Sequence, residues 1–354
     1  MRTYLRLAAF LLLALGFNRC QYPVDTSTLP DAIRYLVIDA ELTETFGKVN
    51  VSYTLTDVTP QGAYTFPPRP VASAYVLDSQ GNRTDFIPDG SKNTAFQGKV
   101  GETYRLYVEA DGQLYESDPE TMRACPALDS VTPVYRRESF RAPSELYYDG
   151  FDVYARMVDL PGQENYYQWD WVHYGRAFSC ARIYSAAEGK DVLLPCSPYD
   201  CWNIVYNTNA IVQSDQLREG QPMAQKVLRV PFARPPRLYY LRVEQRSITP
   251  SVFAYLQSIQ TQTQNTGSLF DIPAQTRFNP NVHNVAEPAE PLLGVFSVYS
   301  SRYKIIHINM EQQIPGAVVK IIPQPAPFIA DPLAAAPCEE GPFRTLIRPE
   351  DWQE

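Results

Sequence analysis

Along much of this chain apolar and polar side chains alternate every second position, the period of a strand with one buried face. Arg34–Glu41, Lys48–Leu55, Val71–Leu77, Thr84–Ile87, Thr103–Glu109 and Gln113–Ser117 follow in quick order and predict short strands. Turn chemistry punctuates them. Ser79-Gln80-Gly81-Asn82 precedes the fourth run, and Asp111-Gly112 predicts a tight hairpin between the last two, because both residues tolerate positive φ. Short strands, frequent turns and no helical period predict an immunoglobulin- or transthyretin-like β-sandwich over residues 21–123.

A second β-rich domain is expected over 124–323, opening at Ala124-Cys125-Pro126, where the proline holds Cys125 extended. Phe151–Val158 and Tyr166–Tyr174 predict strands joined by Leu160-Pro161-Gly162-Gln163, and Leu238–Val243 another. Val192–Val230 reads as loop with short apolar runs. One stretch alone carries a helical period. Thr249 caps it, Pro250 suits its first turn, Val252, Phe253, Leu256 and Ile259 share a face, and Gly267 is the left-handed stop, which predicts an amphipathic helix over 250–266. Leu292–Tyr299 and Tyr303–Ile308 are strand-like runs that could pair. Residues 324–354 form a Pro-rich tail, either an extended strap or a disordered end.

Composition sharpens the class to mainly β. The chain has 24 Tyr, 16 Phe and 4 Trp, which favour strands, and 31 Pro, which disfavour long helices. A net charge of −8 with no long basic run argues against nucleic acid, and Arg136, Arg137 and Arg141 read as a solvated strand edge. On the strand at Tyr166, the residues Tyr167, Trp169, Trp171 and His173 share one face. That face is core, or else Trp169 and Trp171 form a platform for a sugar, a peptide or a partner. His283, in the loop after the helix, is the histidine nearest to a contact role.

Arg2 and Arg6 before the short apolar run Leu7–Leu15 have the layout of an export leader, too short to span a membrane. Cys20 is the expected acylation site at residue 20, the end of a lipoprotein signal over 1–20, and would moor the chain without spanning. Arg19 departs from the small residue usual before such a cysteine, and Ala14-Leu15-Gly16 offers an ordinary secretory cut. Both cuts put the mature chain outside the cytoplasm. There, Cys125, Cys180, Cys196, Cys201 and Cys338 are disulfide candidates. A bridge is expected between two of the middle three, Cys201 included, and one from Cys125 to Cys338 would clip the tail to the domain junction. The six cysteines permit about fifteen pairings, among which the sequence does not decide. Neither zinc spacing nor a cation loop is present: Asp39, Glu41 and Glu44 match no calcium pattern, and no cofactor is expected. Three histidines and the absence of a nucleophile elbow, a His-Glu-x-x-His helix or a phosphate loop leave no catalytic pattern.

A resemblance adds a place and a partner. Ser247-Ile-Thr before the helix, Gly267-Ser-Leu-Phe-Asp after it, Leu292-Leu-Gly-Val-Phe, Tyr35-Leu-Val-Ile-Asp, Gly101-Glu-Thr-Tyr-Arg-Leu and Cys201-Trp202 resemble a family of Bacteroidota outer-membrane lipoproteins, labelled domain of unknown function four-two-four-nine. Pro280-Asn281-Val282-His283-Asn284 departs from that family's Gly-Asn-Ile-Xaa-Asn. The resemblance implies association with TonB-dependent receptors and no particular reaction. The expectation is therefore a non-enzymatic lipoprotein on the outer membrane, facing the cell exterior and accessory to a β-barrel importer. A stand-alone glycan-binding or adhesion module and a secreted hydrolase are the alternatives.

Overall fold

The structure, a computed structural model, describes residues 34–54, 70, 72–141, 147–179, 197–216, 218–231, 238–264, 278–309 and 340–353, with the short pieces 57–58, 64–65, 182–185 and 190–193. In chain order the strands are Leu36–Leu42 (β1), Gly47–Tyr53 (β2), Asp57–Val58 (β3), Tyr64–Thr65 (β4), Ala72–Asp78 (β5), Arg83–Phe86 (β6), Thr103–Ala110 (β7), Gln113–Ser117 (β8) and Glu120–Thr121 (β9). Then come Leu128–Arg141 (β10), Tyr147–Val158 (β11), Tyr166–Ser179 (β12), Arg182–Ser185 (β13), Lys190–Leu193 (β14), Ser197–Tyr206 (β15), Val212–Ser214 (β16), Pro222–Pro231 (β17) and Leu238–Ile248 (β18). The helix Pro250–Gln264 (α1) is followed by Val282–Asn284 (β19), Phe296–Val298 (β20), Ser300–Asn309 (β21) and Arg344–Thr345 (β22). The fold is mainly β, as the alternation predicts. Two compact units divide the chain. The smaller takes Met1–Arg34 and Leu55–Pro67, and holds the antiparallel pair β3–β4. The larger takes Tyr35–Thr54 and Pro68–Glu354, and everything below belongs to it.

Its first core gathers inward residues from a β2-β1-β20 sheet and a sheet of order β19-β8-β7-β5-β6. Strict alternation sorts β1: Leu36, Ile38, Ala40 and Leu42 are buried, while Val37, Asp39 and Glu41 point away from that core. The Asp111-Gly112 hairpin forms with φ of 50° and 80°, the positive pair that matches strand twist. Two strands reach this core from well beyond residue 123. β19 pairs with β8, and β20 runs parallel to β1, with Ala40 opposite Phe296 and Leu42 opposite Val298. Gly294 enables that approach: its φ is 95°, and a Cβ there would lie 2.2 Å from the Ile38 carbonyl oxygen. The runs Leu292–Tyr299 and Tyr303–Ile308 do not pair with each other. Only Tyr299 separates β20 from β21, too little chain for a turn, so β20 joins β1 and β21 joins β18.

A second core collects the inner residues of the β10-β11-β17 sheet and of the sheet ordered β21-β18-β12-β15-β22. The stretch 192–230, expected as loop, contains β15, β16 and β17. A bulge hid β17: Val153 faces Leu228 while Tyr154 faces Lys226, so Val227 is extra and the alternation resets there. Arg136 lies on the edge strand β10, exposed, with Asp152 3.8 Å away, which agrees with a solvated edge.

The predicted helix forms over Pro250–Gln264; Gly267 lies outside the described residues. Phe253 N–H bonds the Thr249 carbonyl at 2.9 Å. The Thr249 hydroxyl meets the Ser251 hydroxyl at 3.0 Å, and Ser251 donates to Glu120 at 2.5 Å. The helix has no acid in its own first turn, so the carboxylate that complements its dipole comes from β9. Val252, Phe253 and Leu256 pack on Val212, Ile248 and Tyr299 in a small third core. Of the tail, 340–353 acts as a strap: β22 pairs with β15, and the Trp352 ring sits 6.0 Å from Trp202 and 5.8 Å from Tyr240. Among the described residues no helix is long and apolar enough to cross a membrane.

Candidate functional site

Residues that β1 and β2 turn away from the first core do not all meet bulk water. Asp39 faces Asn50 across the pair, and Glu41 faces Lys48, so these four stand together on one sheet face. Opposite them runs the flank of α1, carrying Val252, Tyr255, Leu256 and Ile259. Between the two lies a cleft of about 540 Å3, also lined by Gln168, Arg246 and Tyr299.

Charge is distributed unevenly in it. Arg246 Nη2 lies 3.0 Å from Asp170 and 2.9 Å from Glu244, and its guanidinium carbon sits 4.8 Å from the centre of the Tyr299 ring. Tyr299 donates to Glu41 at 3.0 Å, and Glu41 takes Lys48 at 3.2 Å. A chain of partners therefore runs from β2 to β12. Burial alone would raise the Glu244 carboxyl, but Arg246 and neighbouring donors hold it below the usual range. For Tyr299, burial pushes the phenol well above its ordinary value, with Glu41 adding to the rise.

Asp39 differs. It stands among many protein atoms yet stays open to solvent, as a residue on the floor of a concavity does. One backbone donor reaches it, Val295 N–H at 3.3 Å, and among the described residues no cation lies within salt-bridge distance. Burial raises its carboxyl above the usual range; the Val295 bond opposes this, and Glu41 reinforces it. Tyr255 is raised by burial first and then by the charge of Asp39. The arrangement can hold a polar or charged group at the sheet and cover an apolar body with the helix.

The residues singled out in the sequence are mostly elsewhere. Trp169 is 1% exposed and Trp171 packs against the same second core, so the pair forms no open platform; the face they share is the inward face of β12. The other face of that strand carries Gln168 to the cleft and Asp170 to Arg246. His283 sits on β19, its Nε2 3.5 Å from Glu116, away from the cleft. His173 stacks on Tyr239 at 3.9 Å and takes the Tyr240 carbonyl at 2.7 Å, with burial lowering its titration, while His307 lies edge-on to Tyr240 from the opposite sheet face. Asp39 and Glu41 reach the cleft, but Glu44 turns to Arg302 at 2.9 Å; among the described residues no group of three or more metal-binding side chains is placed to hold an ion.

Cys125 is a free, buried thiol and not half of a bridge. Gln245 Nε2 reaches its sulfur at 3.5 Å, its own S–H faces the Gln245 carbonyl at 3.6 Å, and burial pushes the thiol up to about 11. Cys201 is disulfide-bonded, its partner lying outside the described residues, as do Cys20, Cys180, Cys196 and Cys338. Sequence reasoning missed Arg246, Tyr255 and Tyr299. The signal available was adjacency: Arg246 immediately precedes the Ser247-Ile-Thr entry to α1, and Tyr299 immediately follows Leu292-Leu-Gly-Val-Phe and two further residues.

The segments that build the cleft, β1, α1 and the 292–298 run, lie within the part of the chain that matches a known family. Residues 21–305 match the family described as domain of unknown function (DUF4249). The chain belongs to that family. No curated protein and no solved structure matches it. Two asparagines of the 280–284 loop are tied down by hydrogen bonds. Asn281 is 2% exposed, donates to the Phe296 carbonyl at 2.7 Å and to Glu120 at 2.6 Å, and accepts from Phe296 N–H at 3.0 Å. Asn284 accepts from Ala286 and Glu287 N–H and donates to Glu290, closing the loop before β20.

Proposed function

We propose that this protein is a non-enzymatic lipoprotein of the outer membrane, anchored through Cys20 and facing the cell exterior, that serves as a binding accessory to a TonB-dependent importer. The leader at Arg2–Leu15 and the family membership support the location. The observation that carries the binding role is the cleft. It is concave, falls in the size range of ligand sites, and pairs an apolar helix flank with a few fixed charges.

Purification through a C-terminal tag in mild detergent tests the assignment. A large β-barrel protein is expected to co-elute, and the amino-terminal peptide is expected to begin at an acylated Cys20. Recovery as a lone, unacylated species that turns over a substrate unaided would overturn it.

A further inference from the structure

We infer that the cleft takes a ligand bearing a primary ammonium group on an apolar body, with Asp39 receiving the cation and α1 covering the body. The inference deepens the binding reading above and rests on it. Its basis is which charges in the cleft are already matched. Lys48 holds Glu41 at 3.2 Å, and Arg246 holds two carboxylates at 3.0 and 2.9 Å. An anion entering the cleft would have to draw these cations away from partners they already have, a costly exchange where charges are partly desolvated. Asp39 has acceptor capacity to give: a carboxylate offers about four lone-pair directions, and one backbone N–H at 3.3 Å occupies this one. A cation there offsets the desolvation that the carboxylate now bears. Across the cleft, Leu256 and Ile259 offer apolar surface and Tyr255 an aromatic ring.

Apolar amines and peptide amino termini share this chemistry, and the probes separate them. The full chain in mild detergent is titrated calorimetrically with 2-phenylethylamine, 2-phenylethanol and 3-phenylpropionate, and with Leu-Phe-amide free or acetylated at its amino terminus. The amine or the free dipeptide is expected to bind about tenfold more tightly than its uncharged partner, the scale of one charge-assisted hydrogen bond. Preference for the free dipeptide alone assigns the site to peptides; preference for 2-phenylethylamine assigns it to free amines; either supports the inference. Asp39→Asn keeps the acceptor for Val295 and is expected to bring the ratio close to one. Affinity for the amine should rise with pH as Asp39 ionises. The groups facing it are Glu41 on its own strand, Lys48 on β2, Arg246 on β18, Tyr255 on α1 and Tyr299, and burial raises Asp39 above the ordinary carboxylate range. Equal binding of charged and uncharged probes, or a preference that survives Asp39→Asn, overturns the ammonium assignment and leaves the cleft as a binding site. Absence of binding by every probe, or binding unchanged when Ile259→Trp fills the cleft, overturns both.

Discussion

Around Asp159 the chain supplies every partner. Its Oδ1 accepts from Tyr167 at 2.5 Å and its Oδ2 from Gly220 N–H at 2.8 Å. Asn165 spans the gap to a second carboxylate, Asp215, which accepts from the Asn165 backbone N–H at 2.9 Å and its Nδ2 at 3.2 Å. All of Asp159, Asn165 and Asp215 are at most 2% exposed. Around Asp39, one backbone bond is all the described chain provides, and the other acceptor directions face a cleft. Two carboxylates set among protein atoms thus have opposite fates. The first is consumed in fixing the connection between β11 and β12, two strands of different sheets beside the second core. The second leaves interaction capacity unspent, which is how a site differs from a scaffold.

The comparison predicts large stability losses on the closed side and small ones on the open side. The largest is expected for Trp169→Ala. Trp169 neighbours Tyr167 at 6.0 Å between ring centres and is among the most buried large side chains. Loss of that volume is expected to cost about 3–5 kcal/mol in denaturant unfolding, with the transition measured by circular dichroism. A loss under about 1 kcal/mol would mean the inner face of β12 is not core.

Gly294→Ala comes next, at about 3 kcal/mol by the same measurement, because the new methyl meets the Ile38 carbonyl at a φ that L side chains rarely adopt. It also shifts Val295, the donor to Asp39, so amine binding should weaken with it. Asn165→Ala follows at about 2–3 kcal/mol, since it strips donors from two buried carboxylates. Wild-type behaviour at Asp215 adds a pH signature. Burial first, and then the neighbouring Asp159 charge, raise the Asp215 carboxyl above its unfolded value. A raised carboxyl contributes stability that is full below the unfolded value near 3.8 and is lost as pH climbs through the folded one. Asp215→Asn should therefore flatten the fall in stability as pH rises from about 3.8 through the folded value.

How far the sequence reaches follows from what each element needs. The Asp111-Gly112 hairpin, β1 and α1 are legible because turn chemistry, alternation and helical period are local. β17 is not, because the bulge at Val227 breaks the period that would reveal it. The partners of β20 are not, because parallel pairing with β1 joins residues more than 250 apart in the chain, and no local pattern encodes that. The cleft is half legible. Asp39 and Glu41 are visible as nearby acids on alternating positions, but Arg246 on β18 and Tyr255 on α1 come to the same cleft only in the folded chain. The Trp-rich face of β12 is the core that its aromatics advertise, whereas the opposite face, which brings Gln168 to the cleft and Asp170 to Arg246, carries no local pattern that marks it.

Asp39→Asn is the smallest expected effect and the sharpest discriminator between the two regions. If Asp39 were a structural carboxylate like Asp159, losing its charge would unfold part of the larger unit. Read as an unmatched charge, it has a folded titration above its unfolded one, so its ionisation lowers stability as pH rises from about 3.8 through the folded value. The asparagine variant escapes that loss. It should match the wild type at acid pH and exceed it at neutral pH by on the order of 0.5 kcal/mol, the scale of a charge that solvent still screens. Paired urea titrations at pH 3.5 and pH 7.5 measure the difference. A variant less stable than the wild type at pH 7.5 would place Asp39 with the scaffold, whereas a gain that appears only above the acid range leaves it as a group held ready for a ligand at a cost to the fold.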